Sequence, residues 1–201
     1  MTPSSEPNRR TVLKKSIVIS ALLYYGGWLG AVLGAAEGQP DLGTGIILAV
    51  VLFGVLKGGR TELCFAGVAL LIGFAFESSL VWLKLVDYPQ FAVGAIGLKP
   101  PIWMILLWPL LMRTLAKDQC LAWTKGRRLL GIAFGGVGGG LAYYAGHQLG
   151  ALQFQSDVDP AITAVKIGIC WAMLYPLIAE TRSYMEKQLF MGKREGNDFE
   201  N

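Results

Sequence analysis

Apolar residues in this chain fall into six long runs, at about residues 16–36, 42–57, 62–84, 100–118, 129–153 and 160–181, separated by short polar connections. Hydrocarbon about 30 Å thick takes roughly 20 apolar residues of helix, with a range of about 17 to 25. The runs are too long for strands and lack the alternation of a membrane barrel. They predict an all-α polytopic membrane protein, a bundle of six transmembrane helices over 16–181. A basic polar tail at 1–15 precedes it and a charged tail at 182–201 follows. The second run is short and the fifth long, so the helices must tilt or bend to fit one bilayer. Asp159-Pro160 reads as an N-cap with proline at the first helical position, and Pro100-Pro101 opens the fourth run in the same way. Pro109 and Pro176 sit inside runs and predict kinks.

Charge supplies the orientation. Arg9, Arg10, Lys14 and Lys15 precede the first run, and Lys57 and Arg60 lie between the second and third. Arg113, Lys117, Lys125, Arg127 and Arg128 separate the fourth from the fifth; Arg182, Lys187, Lys193 and Arg194 follow the sixth. Only Lys84, Lys99 and Lys166 lie elsewhere among the 18 basic residues. Positive charge on alternate connections predicts an even number of crossings with both termini cytoplasmic. Arg9-Arg10 ahead of an apolar run and Gly34-Ala35-Ala36 also has the outline of a twin-arginine export signal. Five further apolar runs favour a first span with its basic flank.

Composition then narrows the function classes. Of 201 residues, 53% are hydrophobic and only 16% charged, against roughly a quarter charged in a soluble domain. That scarcity of charge argues against a disordered chain and against nucleic acid as a partner, even with a net charge of +4. Cys64, Cys120 and Cys170 are widely spaced, and His147 is the single histidine. Neither a metal site nor a cofactor is expected from them. The expected partners are membrane lipids, with a membrane protein or a second copy of the chain as further options.

Glycines recur at helical spacing: Gly26, Gly30 and Gly34 in the first run, Gly135, Gly139, Gly146 and Gly150 in the fifth. Such stripes let helix backbones approach in lipid. The run at 135–140 lacks the lysine, the Ser/Thr and the preceding strand of a phosphate loop.

Away from the charged ends of the runs, Glu77, His147 and Lys166 stand out as ionisable side chains within the outer half of their spans. At about 1.5 Å per residue, all three lie in the outer half of the bilayer. Ionisable groups at that depth usually face a bundle interior or cavity. One reading is a polar pocket in which Glu77 pairs with Lys166, while His147 and Tyr143 or Tyr144 supply hydrogen bonds or proton transfer. The other is a structural ion pair, with Lys166 reaching the headgroups. At the inner end, Glu180 and Arg182 with Arg113 could form a cytoplasmic salt-bridge network, but solvated flanks are the favoured reading.

Several phrases then occur in order: Gly27-Trp28 with Val32-Leu33-Gly34-Ala35-Ala36; Gln39-Pro40 with Leu42-Gly43; Glu62-Leu63; Phe76-Glu77-Ser78-Ser79-Leu80; Pro101-x-Trp103 with Leu107-Trp108 and Thr114-Leu115; and Gly138-Gly139-Gly140-Leu141-Ala142-Tyr143-Tyr144-Ala145-Gly146. Together they resemble domain of unknown function family 2878, small polytopic proteins of the bacterial inner membrane. This chain departs from that family's pattern at Gly139-Gly140, where Gly-Pro is usual, and at Glu77, where aspartate is usual. The resemblance implies a membrane protein without an established activity, and a role near lipid modification because such proteins are often encoded beside lipid-modifying enzymes. The resulting expectation is a non-catalytic lipid- or partner-binding component. The alternative is an intramembrane enzyme or proton-coupled carrier using Glu77 and His147.

Overall fold

A computed structural model of the protein describes residues 9–88, 100–154 and 157–198. Lys99 and the outermost residues of both tails lie outside the described residues. The described residues are predominantly helical: α1 (Arg9–Ala36), α2 (Pro40–Trp82), α3 (Ile102–Thr114), α4 (Arg128–Gln148) and α5 (Pro160–Asp198). Two short strands, β1 (Val86–Asp87) and β2 (Gln153–Phe154), pair antiparallel, Val86 opposite Phe154 and Asp87 opposite Gln153.

Four of these helices, α1, α2, α4 and α5, are long and apolar enough to cross a membrane, where the sequence pattern predicts six crossings. The difference has two physical causes. The second and third apolar runs are the two arms of α2, which join directly at Gly59 (φ 61°, ψ −148°), a backbone region open essentially to glycine alone. The fourth run supplies only the 13 residues of α3, about 20 Å of helix. It starts after Pro101, whose carbonyl accepts from Met104 and Ile105, and ends where the Thr114 carbonyl receives the Leu121 N–H at 3.0 Å.

α2 reverses at Gly59. Val51 and Val55 from before it and Phe65 and Ala66 from after it line the same cavity of about 10 Å³. An unbroken helix would hold Val51 and Ala66 about 22 Å apart. The arms 40–58 and 60–82 both pack on α3, the first placing Gly54 against Arg113 and the second placing Gly73 against Trp108.

α3 is the hub. Trp103, Met104, Leu107, Trp108, Leu110, Leu111 and Met112 are all buried, so this helix is apolar around its circumference because neighbours enclose it. The peripheral helices are inverted relative to a water-soluble bundle, with Leu22, Leu56, Leu71, Leu129 and Met173 on the outside. The exposed apolar residues match a hydrocarbon surrounding. At the predicted cap, Asp159 Oδ1 accepts the Ala161 N–H at 2.7 Å and opens α5. α5 then continues past the predicted span end at 181 to Asp198.

The glycines divide by role. A Cβ on Gly34 would press on the Gln39 carbonyl, and one on Gly43 would overlap the Ala31 backbone, so α1 and α2 approach there. Gly168 and Gly136 bring α5 and α4 together in the same way. Gly135 and Gly139 instead receive side chains, Tyr175 and Trp171 respectively, and Gly146 meets Leu152. Gly30 makes only ordinary contact with Ile46. Two of the predicted packing glycines do not pack: Gly26 has nothing within 4 Å, and Gly150 (φ 87°) lies in the turn that ends α4. A four-residue spacing reports a common face, and that face at Gly26 points away from any neighbour.

Gly43→Ala is therefore expected to lower the thermal unfolding midpoint in detergent, at a cost on the order of 1–3 kcal/mol for overpacking. Gly45→Ala, two residues on with open space around its Cβ, is the control that leaves the midpoint unchanged or slightly raised.

Candidate active site or binding cleft

Glu77, on the second arm of α2, is fully buried at 0% exposure. A carboxylate in such a place must collect hydrogen bonds or a counter-charge. It collects three neutral donors from three different parts of the chain. The Trp108 indole on α3 donates to Oε1 at 3.1 Å. The Tyr143 hydroxyl on α4 donates to the same oxygen at 2.5 Å, and the Tyr88 hydroxyl donates to Oε2 at 2.9 Å. Tyr88 is in position because it directly follows β1, which the ladder to β2 holds across this end of the bundle. Burial pushes the Tyr88 phenol well above its ordinary value, and the neighbouring Glu77 raises it further. It remains a proton donor.

Glu77 lines a cleft of about 350 Å³. α1 packs on α2 and α3, α4 packs on α5, and the cleft is the space left between α1 and α4 over the surface of α3. One rim is Tyr24, Tyr25, Trp28 and Val32; the other includes Phe134, Gly138 and Leu141. Its floor includes Trp108 and Trp171, stacked with centroids 5.0 Å apart and planes at 14°. From Phe134 to Gly146 the cleft follows about 18 Å of α4.

The family model described as Protein of unknown function (DUF2878) matches residues 17–177. The chain belongs to this family. No curated protein and no solved structure matches it. The DUF2878 match takes in the whole cleft, from Tyr24 to Tyr175, and stops short of Arg182 and Glu186.

Within this DUF2878 chain, the residues anticipated as a pocket separate. Tyr143 joins Glu77. Lys166 is exposed on α5, and among the described residues it forms no ion pair. The anticipated Glu77–Lys166 pair is absent because neutral donors already occupy the carboxylate and the lysine faces outward. His147 stacks on Phe154 (centroids 4.6 Å, planes 18°), and its Nδ1 takes a long hydrogen bond of 3.4 Å from the Phe154 backbone. It thereby holds β2 and does not line the cleft. Tyr144 faces a shallow hollow between α4 and α5, beside Gly140 and Gly168.

Trp108, Tyr88 and Trp171 went unremarked as site residues in the sequence reading. No local spacing links position 77 to 88, 108 or 143. The available signal was the carboxylate itself, which in lipid demands donors, and tyrosine and tryptophan are the donors the spans contain.

The inner end differs from its sequence reading as well. Arg182 is only 3% exposed. It pairs with Glu62 and Glu186, each at 2.8 Å, and lies over the Phe65 ring at 3.5 Å. Lys125 completes the group by pairing with Glu186 at 2.7 Å. Arg182 is thus part of a half-buried charge network tying α2, α5 and the α3–α4 connection, while Glu180 pairs with Arg128 at the exposed edge.

Removing the carboxylate orphans three buried donors at about 1–3 kcal/mol each. Glu77→Leu is thus expected to unfold at a markedly lower temperature than Tyr143→Phe, which loses one bond. Lys166→Met should match the unaltered protein. Thermal melts in detergent give the order, and a Lys166→Met loss as large as that of Glu77→Leu would overturn it.

Proposed function

We propose that this protein is a non-catalytic lipid-binding component of the bacterial inner membrane, with its aromatic cleft as the lipid site. One observation carries the reading: the cleft lies between two helices that do not close on each other, so it opens toward the surrounding hydrocarbon. Its walls are apolar and aromatic with a single buried polar focus, the pattern of a small-ligand site. An elongated space about 18 Å long suits a chain rather than a compact solute. A role in lipid modification would follow if the bound lipid were presented to a separate enzyme.

The alternative of an intramembrane enzyme or proton-coupled carrier has less support. Glu77 and His147 do not share the cleft, and His147 is occupied with Phe154. We further propose six crossings with both termini cytoplasmic. The reversal at Gly59 divides α2 into two arms, and the basic connections gather at one end, where Lys125 and Arg182 join Glu62 and Glu186. The β1–β2 ladder marks the other end.

The cleft has a clean block. Gly138 lines it with nothing within 4 Å of an added Cβ, so a side chain can be attached there without a clash at its root, and Gly138→Phe sets a ring at the cleft wall. The altered chain is expected to keep its melting temperature while losing co-purified lipid, measured by mass spectrometry of solvent extracts. Equal lipid content in both proteins would overturn the reading.

Orientation is checked in chains whose native cysteines are replaced by serine. A membrane-impermeant maleimide applied to intact cells should label Glu37→Cys and leave Lys117→Cys unlabelled until the cells are opened. The reverse pattern would invert the topology.

A further inference from the structure

We propose that the cleft takes a neutral lipid whose polar end is a hydroxyl group, donating to Glu77 and accepting from Trp171. The proposal rests on the lipid-binding reading above and specifies the chemistry of the headgroup.

The carboxylate is only partly occupied. Oε1 holds two donors, from Trp108 and Tyr143, while Oε2 holds one, from Tyr88. A carboxylate has about four acceptor positions, so a place remains on Oε2, and Glu77 is part of the cleft wall. Close by stands the complementary deficit. Trp171 also lines the cleft, and its buried indole N–H makes no well-formed hydrogen bond; the Tyr143 hydroxyl beside it is already committed to Glu77 as a donor and meets the indole only weakly. Trp171 is held near Glu77 by its stack on Trp108 and by Tyr143, whose ring centroid is 6.5 Å away. Buried polar groups in native structures are generally paired, and an unpaired one calls for an explanation. A ligand carrying both a donor and an acceptor at its end supplies one.

The cleft also discriminates by charge. Among the described residues lining it there is no lysine, arginine or histidine. A phosphate or carboxylate headgroup would enter without a cation to meet it and would lie against Glu77, where like charges repel in a low dielectric. An ammonium would suit Glu77 but has no acceptor to offer Trp171. A hydroxyl carries one donor and two acceptor lone pairs, the combination that Glu77 and Trp171 together call for. Long-chain alcohols, phenols with apolar tails and diacylglycerols share this end group.

The test uses the whole protein in detergent and follows quenching of tryptophan fluorescence by bromine-labelled ligands, with Gly138→Phe as the baseline for partition into the micelle. The probes are a long-chain alcohol, its O-methyl ether, the corresponding amine, the corresponding alkane, and a phosphatidylcholine bearing the same chain. The alcohol should quench at the lowest concentration, about tenfold below the ether, as expected for one hydrogen bond in a dry site. Glu77→Gln should narrow the alcohol–ether gap. Trp171→Phe keeps an aromatic ring beside Trp108 but gives up the N–H together with part of the indole, so the alkane serves as the measure of lost packing: the alcohol and the ether should weaken several-fold more than the alkane does. If Glu77→Gln fails to fold, the Trp171→Phe comparison decides alone. Equal quenching by alcohol, alkane and phosphatidylcholine would overturn the hydroxyl assignment while leaving lipid binding intact. Preference for the amine would overturn it in favour of a cationic head. No quenching above the Gly138→Phe baseline by any probe would overturn the lipid-binding reading itself.

Discussion

A carboxylate inside hydrocarbon is the constraint from which the rest of this structure follows. Desolvating an ionised group is expensive, with an effective penalty of several kcal/mol even after the protein relaxes. Here the charge has no cationic partner among its hydrogen-bond contacts. Three neutral donors share the task, and each comes from a different place: α3, α4 and the residue after β1. Bringing them to one point fixes how the second arm of α2 meets α3, how α4 lies over both, and where the β1–β2 ladder must run. The aromatic floor of the cleft is part of the same solution, since the indole that donates to Glu77 is also the one that stacks on Trp171.

Glycine supports that arrangement in a way different from its usual part in membrane helices. Close backbone approach does occur, at Gly43 against Ala31 and at Gly168 against Gly136. The glycines nearest the site serve as sockets for rings. Gly73 receives Trp108 from one side, and Gly139 receives Trp171 from the other, so the stacked indole pair is bracketed between α2 and α4. A Cβ at either position would displace a ring. The open space beside Gly138 is the complement of this close fit: where no ring is seated, the cleft remains.

Much of the architecture was legible in the sequence because membrane helices leave long, unambiguous apolar runs. The helix starting after Asp159, the turn after Ala36 and the inward-facing position of Glu77 all follow from local rules of capping, length and burial cost. What escaped were quantities set by tertiary context. Apolar runs at 42–57 and 62–84 read as separate spans and do form separate arms, but the sharp reversal between them rests on a single glycine conformation with little sequence signature. Lys166 and His147 shared a depth with Glu77, but depth along the bilayer normal says nothing about direction around a helix axis. Arg182 read as solvated because it follows an apolar run, and only the arrival of Glu62 from 120 residues away makes it a buried ion.

The three-way hold on Glu77 also bears on how the chain is made. Synthesis proceeds from the N-terminus, and Tyr88, Trp108 and Tyr143 follow Glu77 by 11, 31 and 66 residues. The arm that carries the carboxylate therefore enters the membrane before any of its tertiary partners exists, and the last of them arrives only with α4. Until then the acid must stay protonated, remain near water, or be sheltered by the insertion machinery. Assembly of the bundle is thus tied to the order of translation, with the completion of α4 as the event that lets the second arm of α2 settle at its final depth.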